Sequence, residues 1–472
     1  MSESITIHRR TILQAGIATA AVFPLLAACA TGGGSGDDDE ETTEPTGDVD
    51  PDNPFNVPAD VEVDTVIFDG GYGIDYVEFA ADLFEQLHEG SSVAVAPSTQ
   101  IATEMQPRFV GGNPPDLIDN SGAQAMGFNT ILEQLEDLND VFDAPNLEGE
   151  IIRDTVYAGS ELPGTFNDKF VAINYVLTVY GVWYSGSLFD ENGWTPPTTW
   201  DEAKELGAAA AEQDLKLFVW GQEAATYYQT LAVDSAIIEA GDELRLALEN
   251  LQPDCWSHEA LQDVFAALKE IVDLGYFVPG GSGTQFTAAQ ARWSNDRQAL
   301  LYPSGSWIEN EMNKENQVAE GFEMKGVATW PLSSSSAMPA GTLHSTAGEP
   351  FVVPTDANSV ESGKEMIRIM LSREAAENFA RSKLAPTIVM DTVPEDGFGS
   401  TALVSQQEML AAAGENKFTW NFVGTYGMNQ EQLVIWNSFL DGAKSVDDLT
   451  SELQAITDRI REDDSIEKIE VV

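Results

Sequence analysis

From residue 61 onward the apolar positions follow two periods that alternate along the chain. Val61 to Phe68 reads as a strand, and a Gly70-Gly71-Tyr72-Gly73 turn leads into a helix with Ile74, Val77, Ala81, Phe84 and Leu87 on one face. Ser92 to Ala96 predicts a second strand and Gln100 to Val110 a second helix, which Gly111-Gly112-Asn113-Pro114-Pro115 ends. This alternation predicts an α/β domain with a largely parallel sheet. Asp116 to Asp119 reads as a short strand ending in Asp119-Asn120-Ser121, polar residues at the carboxyl end of a strand, where such sheets hold ligands.

Tyr175 to Tyr184 is a nearly continuous apolar strand, and Ser185 to Asn192 a short helix that Gly193 stops in a left-handed turn. Thr199 is placed to cap the next helix, with Glu202 completing a capping box and Trp200, Ala203 and Leu206 facing inward. Leu217 to Val219 and Ala299 to Tyr302 are short strands. Ser257 reads as the cap of a helix carrying Leu261, Phe265, Leu268 and Val272, and another helix spans about Val360 to Leu371. The last dozen residues are charged and predicted to fray.

Before residue 57 the pattern changes. Paired Arg9 and Arg10 precede an apolar run from Ile12 to Ala28, which is too short and too closely followed by polar sequence for an ordinary spanning helix. Residues 1–28 therefore read as an export leader resembling the twin-arginine type. Leu26-Ala27-Ala28-Cys29 resembles a lipobox, which would make Cys29 the lipidated residue, the alternative being a signal anchor with an incidental cysteine. Residues 29–56 read as a flexible acidic tether. Cys255 is then unpaired and reads as a packing thiol, with His258 the single histidine near it.

Composition narrows the function. With 472 residues, 43% of them hydrophobic, the chain can build two or three domains. Against 23 Lys and Arg stand 78 Asp and Glu, a net charge of -55 that would repel nucleic acid. At molar salt the Debye length falls to roughly 3 Å, so the acidity reads as adaptation to high salt, as in a haloarchaeal protein. A calcium-loaded alternative would show D-x-D-x-D-G loops, and the sequence has none. His8, His88, His258 and His344 are scattered singly, Gly71-x-Gly73 lacks the third glycine of a dinucleotide loop, and no phosphate loop or G-x-S-x-G elbow occurs. No metal and no cofactor is expected, and so many carboxylates leave a glycosidase pair unreadable from spacing.

Aromatic residues beside hydroxyl-bonding groups are more telling, because sugars stack their C–H faces on rings while their hydroxyls bond to carboxylates and amides. Two clusters qualify: Trp220-Gly221-Gln222-Glu223 with Tyr227 and Tyr228, and Ser304-Gly305-Ser306-Trp307-Ile308-Glu309-Asn310. Packing remains the default reading for most of the ten tryptophans.

At these residues the chain resembles the extracellular solute-binding proteins of carbohydrate ABC importers. The likeness lies in Tyr184-Ser185-Gly186-Ser187-Leu188-Phe189, Gly193, Pro196-Pro197, Thr199-Trp200 and Glu202, with Ser185-Gly186 in place of the usual Asn-Lys. It continues in Gly112 to Asp116, Gly305-Ser306-Trp307 and Gly348 to Pro354. The segments Gly305 to Met312, Glu349-Pro350-Phe351 and Ala385-Pro386-Thr387 resemble the branch that binds N-acetylglucosamine and diacetylchitobiose.

The resemblance implies a two-lobed α/β fold of the type II periplasmic-binding kind, with sugar held between the lobes. It places one lobe at 57–178 with 351–395, the other at 180–349 with 396–460, and a charged tail at 461–472. Strands cross between them near Tyr175 to Val182 and Pro350 to Val353. Trp307 would be the stacking platform, with Trp220 and Tyr227 or Tyr228 as further rings. Gln222, Asp119, Asn120 and Glu309 would bond hydroxyls, Glu349 would bond sugar or brace the hinge, and Trp183 on the crossing strand would either touch ligand or pack. The implied protein is a monomeric, lipid-tethered receptor that hands sugar to a membrane permease and catalyses nothing. A secreted glycoside hydrolase and a structural surface protein stay open as alternatives.

Overall fold

The computed structural model describes residues 50–471 apart from 123, 315 and 316. The leader at 1–28, Cys29 and the tether up to residue 49 lie outside the described residues.

The first strands form where alternation places them: β1 (Glu62–Phe68), β2 (Ser92–Ser98) and β3 (Leu117–Asp119). The intervening helix Asp75–Leu87 buries Tyr76, Val77, Ala80, Ala81 and Phe84, one helical stripe, against the sheet. The helix Ile101–Gly111 follows β2. β4 (Ile173–Ser185) is 13 residues long and buried along most of its length, as expected for an apolar run covered on both faces. β5 (Lys216–Phe218), β6 (Ala299–Gly305), β7 (Met324–Val327), β8 (Leu343–Val352) and β9 (Lys417–Phe418) complete one sheet.

Among the described residues these nine strands run in the order β2-β1-β3-β8-β4-β6-β5, with β7 paired to β4 and β9 to β8. Parallel pairs lie at both ends, β1 with β2 and β3, and β5 with β6. The centre is antiparallel, because β8 pairs in that sense with both β3 and β4, and β4 does so with β6. The sheet is thus mixed, not largely parallel. Two strands that run between cores must enter one as they leave the other, and this reverses the local direction.

The cores show the passage. Val176 belongs to a cluster with Val63, Phe84, Phe142, Phe351 and Phe379. Val179, three residues on, packs with Trp183, Trp293, Met324 and Leu343, and Val182 with Trp200, Tyr228, Trp256 and Trp436. β8 makes the reverse transit from Leu343 to Phe351.

Several local expectations are corrected. The helix Glu259–Asp273 is capped by His258, whose Nδ1 accepts from the Ala260 N–H at 3.3 Å, while Ser257 closes a preceding turn. Thr199 Oγ1 accepts from Glu202 N–H as a cap should, but the Glu202 carboxylate reaches Thr198 N–H at 2.7 Å, one residue short of a reciprocal box. The tail does not fray. After the helix Val446–Glu462, Ile469 is buried against Met126, Phe128 and Phe166, its N–H donates to Tyr426 Oη at 3.0 Å, and Val471 N–H donates to Asn250 Oδ1 at 2.8 Å. The predicted tether also ends early. Arg368 Nη2 donates to Pro51 O at 3.1 Å, Val57 N–H donates to Asn53 Oδ1 at 2.8 Å, and Phe55 packs on the core. In both segments one or two apolar side chains find a groove built by residues far along the chain.

Candidate ligand-binding cleft

β4 and β8 pair Gly348 with Val176 and Pro350 with Asn174, and Glu349 drops out of the register between them with a φ of 55°. A left-handed backbone on a glutamate inside a strand costs about 1–3 kcal/mol and persists only where its surroundings fix it. Here it turns the carboxyl toward the end of β3.

There Glu349 hydrogen-bonds with Asp119 and Ser121. Asp119 is fully buried, accepts from Ser121 Oγ through Oδ1, and accepts from Tyr76 Oη at 3.4 Å through Oδ2. Among the described residues neither carboxyl has an ion-pair partner. Burial, then the Glu349 charge, holds the Asp119 carboxyl well above the usual range, and burial raises that of Glu349 too. Two carboxyls hydrogen-bonded to each other away from water favour sharing a proton, which lets such a pair both donate and accept. The buried Tyr72 hydroxyl lies within the field of Glu349, with the Ser306 side chain as its hydrogen-bonding neighbour.

On the far side of the crossing strands, β6 ends in a turn that lays the Trp307 indole over Gly305. A Cβ on Gly305 would stand 1.9 Å from Trp307 Cζ3, so only glycine fits beneath the ring. Trp307 is partly exposed, edge-on to Tyr180 at 5.6 Å between centroids and tilted against Tyr227 at 5.9 Å. The other edge of the indole meets the first βα turn, where a Cβ on Gly71 would lie 3.3 Å from Trp307 Cβ. Two polar contacts join the same elements: Asn310 Nδ2 donates to Gly71 O, and Lys314 Nζ stands 3.0 Å from Asp69 Oδ1. Trp307, Tyr180 and Tyr227, all partly exposed, thus pack together where β6 meets the first βα turn, and Tyr72 of that turn lies near both Tyr180 and Glu349; rings beside carboxyls suit a ligand with apolar faces and a hydroxyl rim.

The family model for bacterial extracellular solute-binding proteins matches residues 71–377. The chain belongs to that family. This solute-binding protein is 55% identical over 466 residues, 99% of the chain and 98% of the relative, to the diacetylchitobiose binding protein NgcE of Streptomyces coelicolor. Solved structures share its fold at low identity. A chitin oligosaccharide binding protein matches with a TM-score of 0.68 and 15% identity over 84% of this chain and all but 2% of that one, 98% being covered. The binding protein RafE in complex with raffinose matches with a TM-score of 0.66 and 17% identity over 84% and 100%. The family and the relative are binding proteins, and so is this chain; it is not an enzyme.

The residues singled out in the sequence of this solute-binding protein separate into two groups. Trp307 packs against Tyr227, and Asp119 hydrogen-bonds with Glu349, at the candidate site. Asn120 is adjacent, but its amide is spent on Met126, accepting from N–H at 2.8 Å and donating to O at 2.9 Å, which closes the loop after β3.

The rest lie elsewhere. Trp183 is 1% exposed, and its Nε1 donates to Ser304 O at 3.0 Å. Trp220 is 2% exposed with Gly281 flat against its ring, and Tyr228 is buried with its hydroxyl donating to Val219 O at 2.7 Å. Gln222 is exposed beside Asn437, which donates to its carbonyl. Glu309 turns from the cleft to accept from Ser400 Oγ at 2.5 Å. For these five the placement favours packing or surface roles, because the three rings are enclosed, Glu309 bonds Ser400, and Gln222 lies on the surface.

Tyr180 and Tyr72 lie beside these residues without being predicted as ligand contacts, and Ser121, part of the predicted strand-end trio, bonds Asp119. Tyr180 had a signal, since it is the one ring in the crossing strand whose sequence neighbour is a glycine, Gly181. Tyr72 had none beyond its place in the glycine turn, because only the sheet order brings the ends of β1, β3 and β8 together.

Proposed function

We propose that this protein captures an oligosaccharide of N-acetylglucosamine, diacetylchitobiose foremost, and delivers it to the permease of an ABC importer. The observation that carries the reading is the 55% identity, maintained over 99% of the chain, to a diacetylchitobiose binding protein. The cleft supports it: Trp307, Tyr180 and Tyr227 offer ring surface for pyranose faces, and the Asp119–Glu349 pair offers a donor and acceptors for hydroxyls or an acetamido group. In this reading the lobes are 57–178 with 351–395 and 180–349 with 396–460, hinged at β4 and β8. Residues 1–28 direct export by the twin-arginine route, and lipid on Cys29 holds the receptor as a monomer at the outer membrane face, in a salt-rich medium that the acidic surface suits.

A thermal-shift screen in molar KCl tests the sugar assignment. A sugar at 100 times its Kd stabilises the fold by about 2.7 kcal/mol, a readable rise in Tm. Diacetylchitobiose should give the rise and maltose should not. A rise with maltose alone would move the assignment to another sugar, and no rise with any sugar would favour a structural surface protein.

A further inference from the structure

One carboxylate near the cleft is unaccounted for by the site described so far. The helix Tyr227–Ala240 presents Tyr227, Thr230, Leu231 and Asp234 on one face, at the i, i+3, i+4 and i+7 positions, and all four line a small cavity closed by Tyr180 and Gly305. Asp234 is completely buried. Its Oδ1 accepts from Trp420 Nε1 at 2.7 Å and has His344 Nδ1 at 2.9 Å. The His344 ring is held flat against Tyr180, with centroids 4.3 Å apart and planes at 19°. Oδ2, by contrast, has no hydrogen-bond partner among the described residues. Buried carboxylate oxygens are almost always hydrogen-bonded, because leaving one without a donor forfeits its hydration for nothing.

We propose that Asp234 contacts the bound ligand: Oδ2 accepts a hydrogen bond from a sugar hydroxyl that enters between Tyr180 and Tyr227. The inference rests on the sugar-capture reading above. The size of the cavity favours a hydroxyl, since its volume of about 10 Å³ admits one water-sized group. Two tyrosine rings flank that group, and the Trp420 indole N–H holds the other oxygen from behind, so the carboxyl is oriented before the sugar arrives. A carboxylate at this point also selects for neutral sugars over uronic acids by charge repulsion.

Calorimetric titration of N,N′-diacetylchitobiose into the full chain, with Asp234→Asn and Thr230→Leu beside wild type, tests this. Asparagine keeps an oxygen for Trp420 Nε1 and turns the acceptor into a donor. The leucine fills the cavity and leaves Asp234 in place. Asp234→Asn should keep or raise the Tm without sugar while its affinity falls by about 10- to 100-fold, the worth of one charge-assisted hydrogen bond. Thr230→Leu should also lose affinity. Wild-type affinity in a folded Asp234→Asn overturns the role of Asp234. Should that variant not fold, wild-type affinity in Thr230→Leu overturns it. Failure of wild type itself to bind any chito-oligosaccharide overturns the sugar-capture reading, a result distinct from either.

Discussion

Trp307 stands edge-on to Tyr180, ring centroids 5.6 Å apart and planes at 85°. The contact joins the end of β6 to the strand that passes between the two cores, so the exposed indole face is fixed relative to the hinge. Trp307→Ala should reduce sugar affinity by about 10-fold or more, from lost stacking and apolar burial. Because the ring is only partly buried, the Tm without ligand should move little. Gly305→Ala should weaken binding comparably while retaining the indole, since its Cβ must displace the ring. Titration calorimetry of both variants checks this, and full affinity in Gly305→Ala would show that the ring's seat is unimportant.

The raised carboxyls of Asp119 and Glu349 set a pH dependence. Well below pH 4 both are protonated in folded and unfolded chains alike, and the pair costs nothing. As pH rises the unfolded chain gives up its protons first, so stability falls until the folded values are passed. Glu349→Gln keeps the hydrogen-bonding shape without the charge. It should melt above wild type at pH 8 and converge with it well below pH 4. A lower Tm at pH 8 would mean that the charge stabilises the fold.

Cys255 is 4% exposed, and burial pushes its thiol up to about 12. In a Cys29→Ser chain, the folded protein should not react with a thiol-disulfide reagent at pH 8, and one thiol should appear on unfolding. Rapid labelling of the folded chain would place Cys255 in a mobile region.

A net charge of -55 should make stability depend steeply on salt. Raising KCl from about 0.1 M to molar levels shortens the Debye length from roughly 10 Å to roughly 3 Å. The Tm should climb throughout that range, and a flat profile would separate the acidity from salt adaptation.

The elements were readable where local chemistry decides them. β1 and the helix after it follow from their periodicity, and Gly193, with a φ of 67°, ends its helix in the left-handed turn that the sequence predicts. Trp307 and Tyr227 are partly exposed, as a ring after a strand-end glycine, or at a helix start, has little core to enter. Trp183 and Trp220 were not separable from them by sequence, since burial depends on Gly326 and Gly281, residues that meet those rings only in the fold. The left-handed Glu349, the docked Ile469 and the open oxygen of Asp234 depend on contacts more than 100 residues apart, beyond any local pattern.

The central claim, sugar capture between Trp307 and the Asp119–Glu349 pair, is tested most directly by titrating N,N′-diacetylchitobiose into the wild-type chain in molar KCl, with a Trp307→Ala, Glu349→Ala double variant as control. One saturable site in wild type, lost in the double variant, is the predicted result. Binding of equal strength in both proteins would contradict the site, and no heat with chitobiose, chitotriose or N-acetylglucosamine would contradict the function.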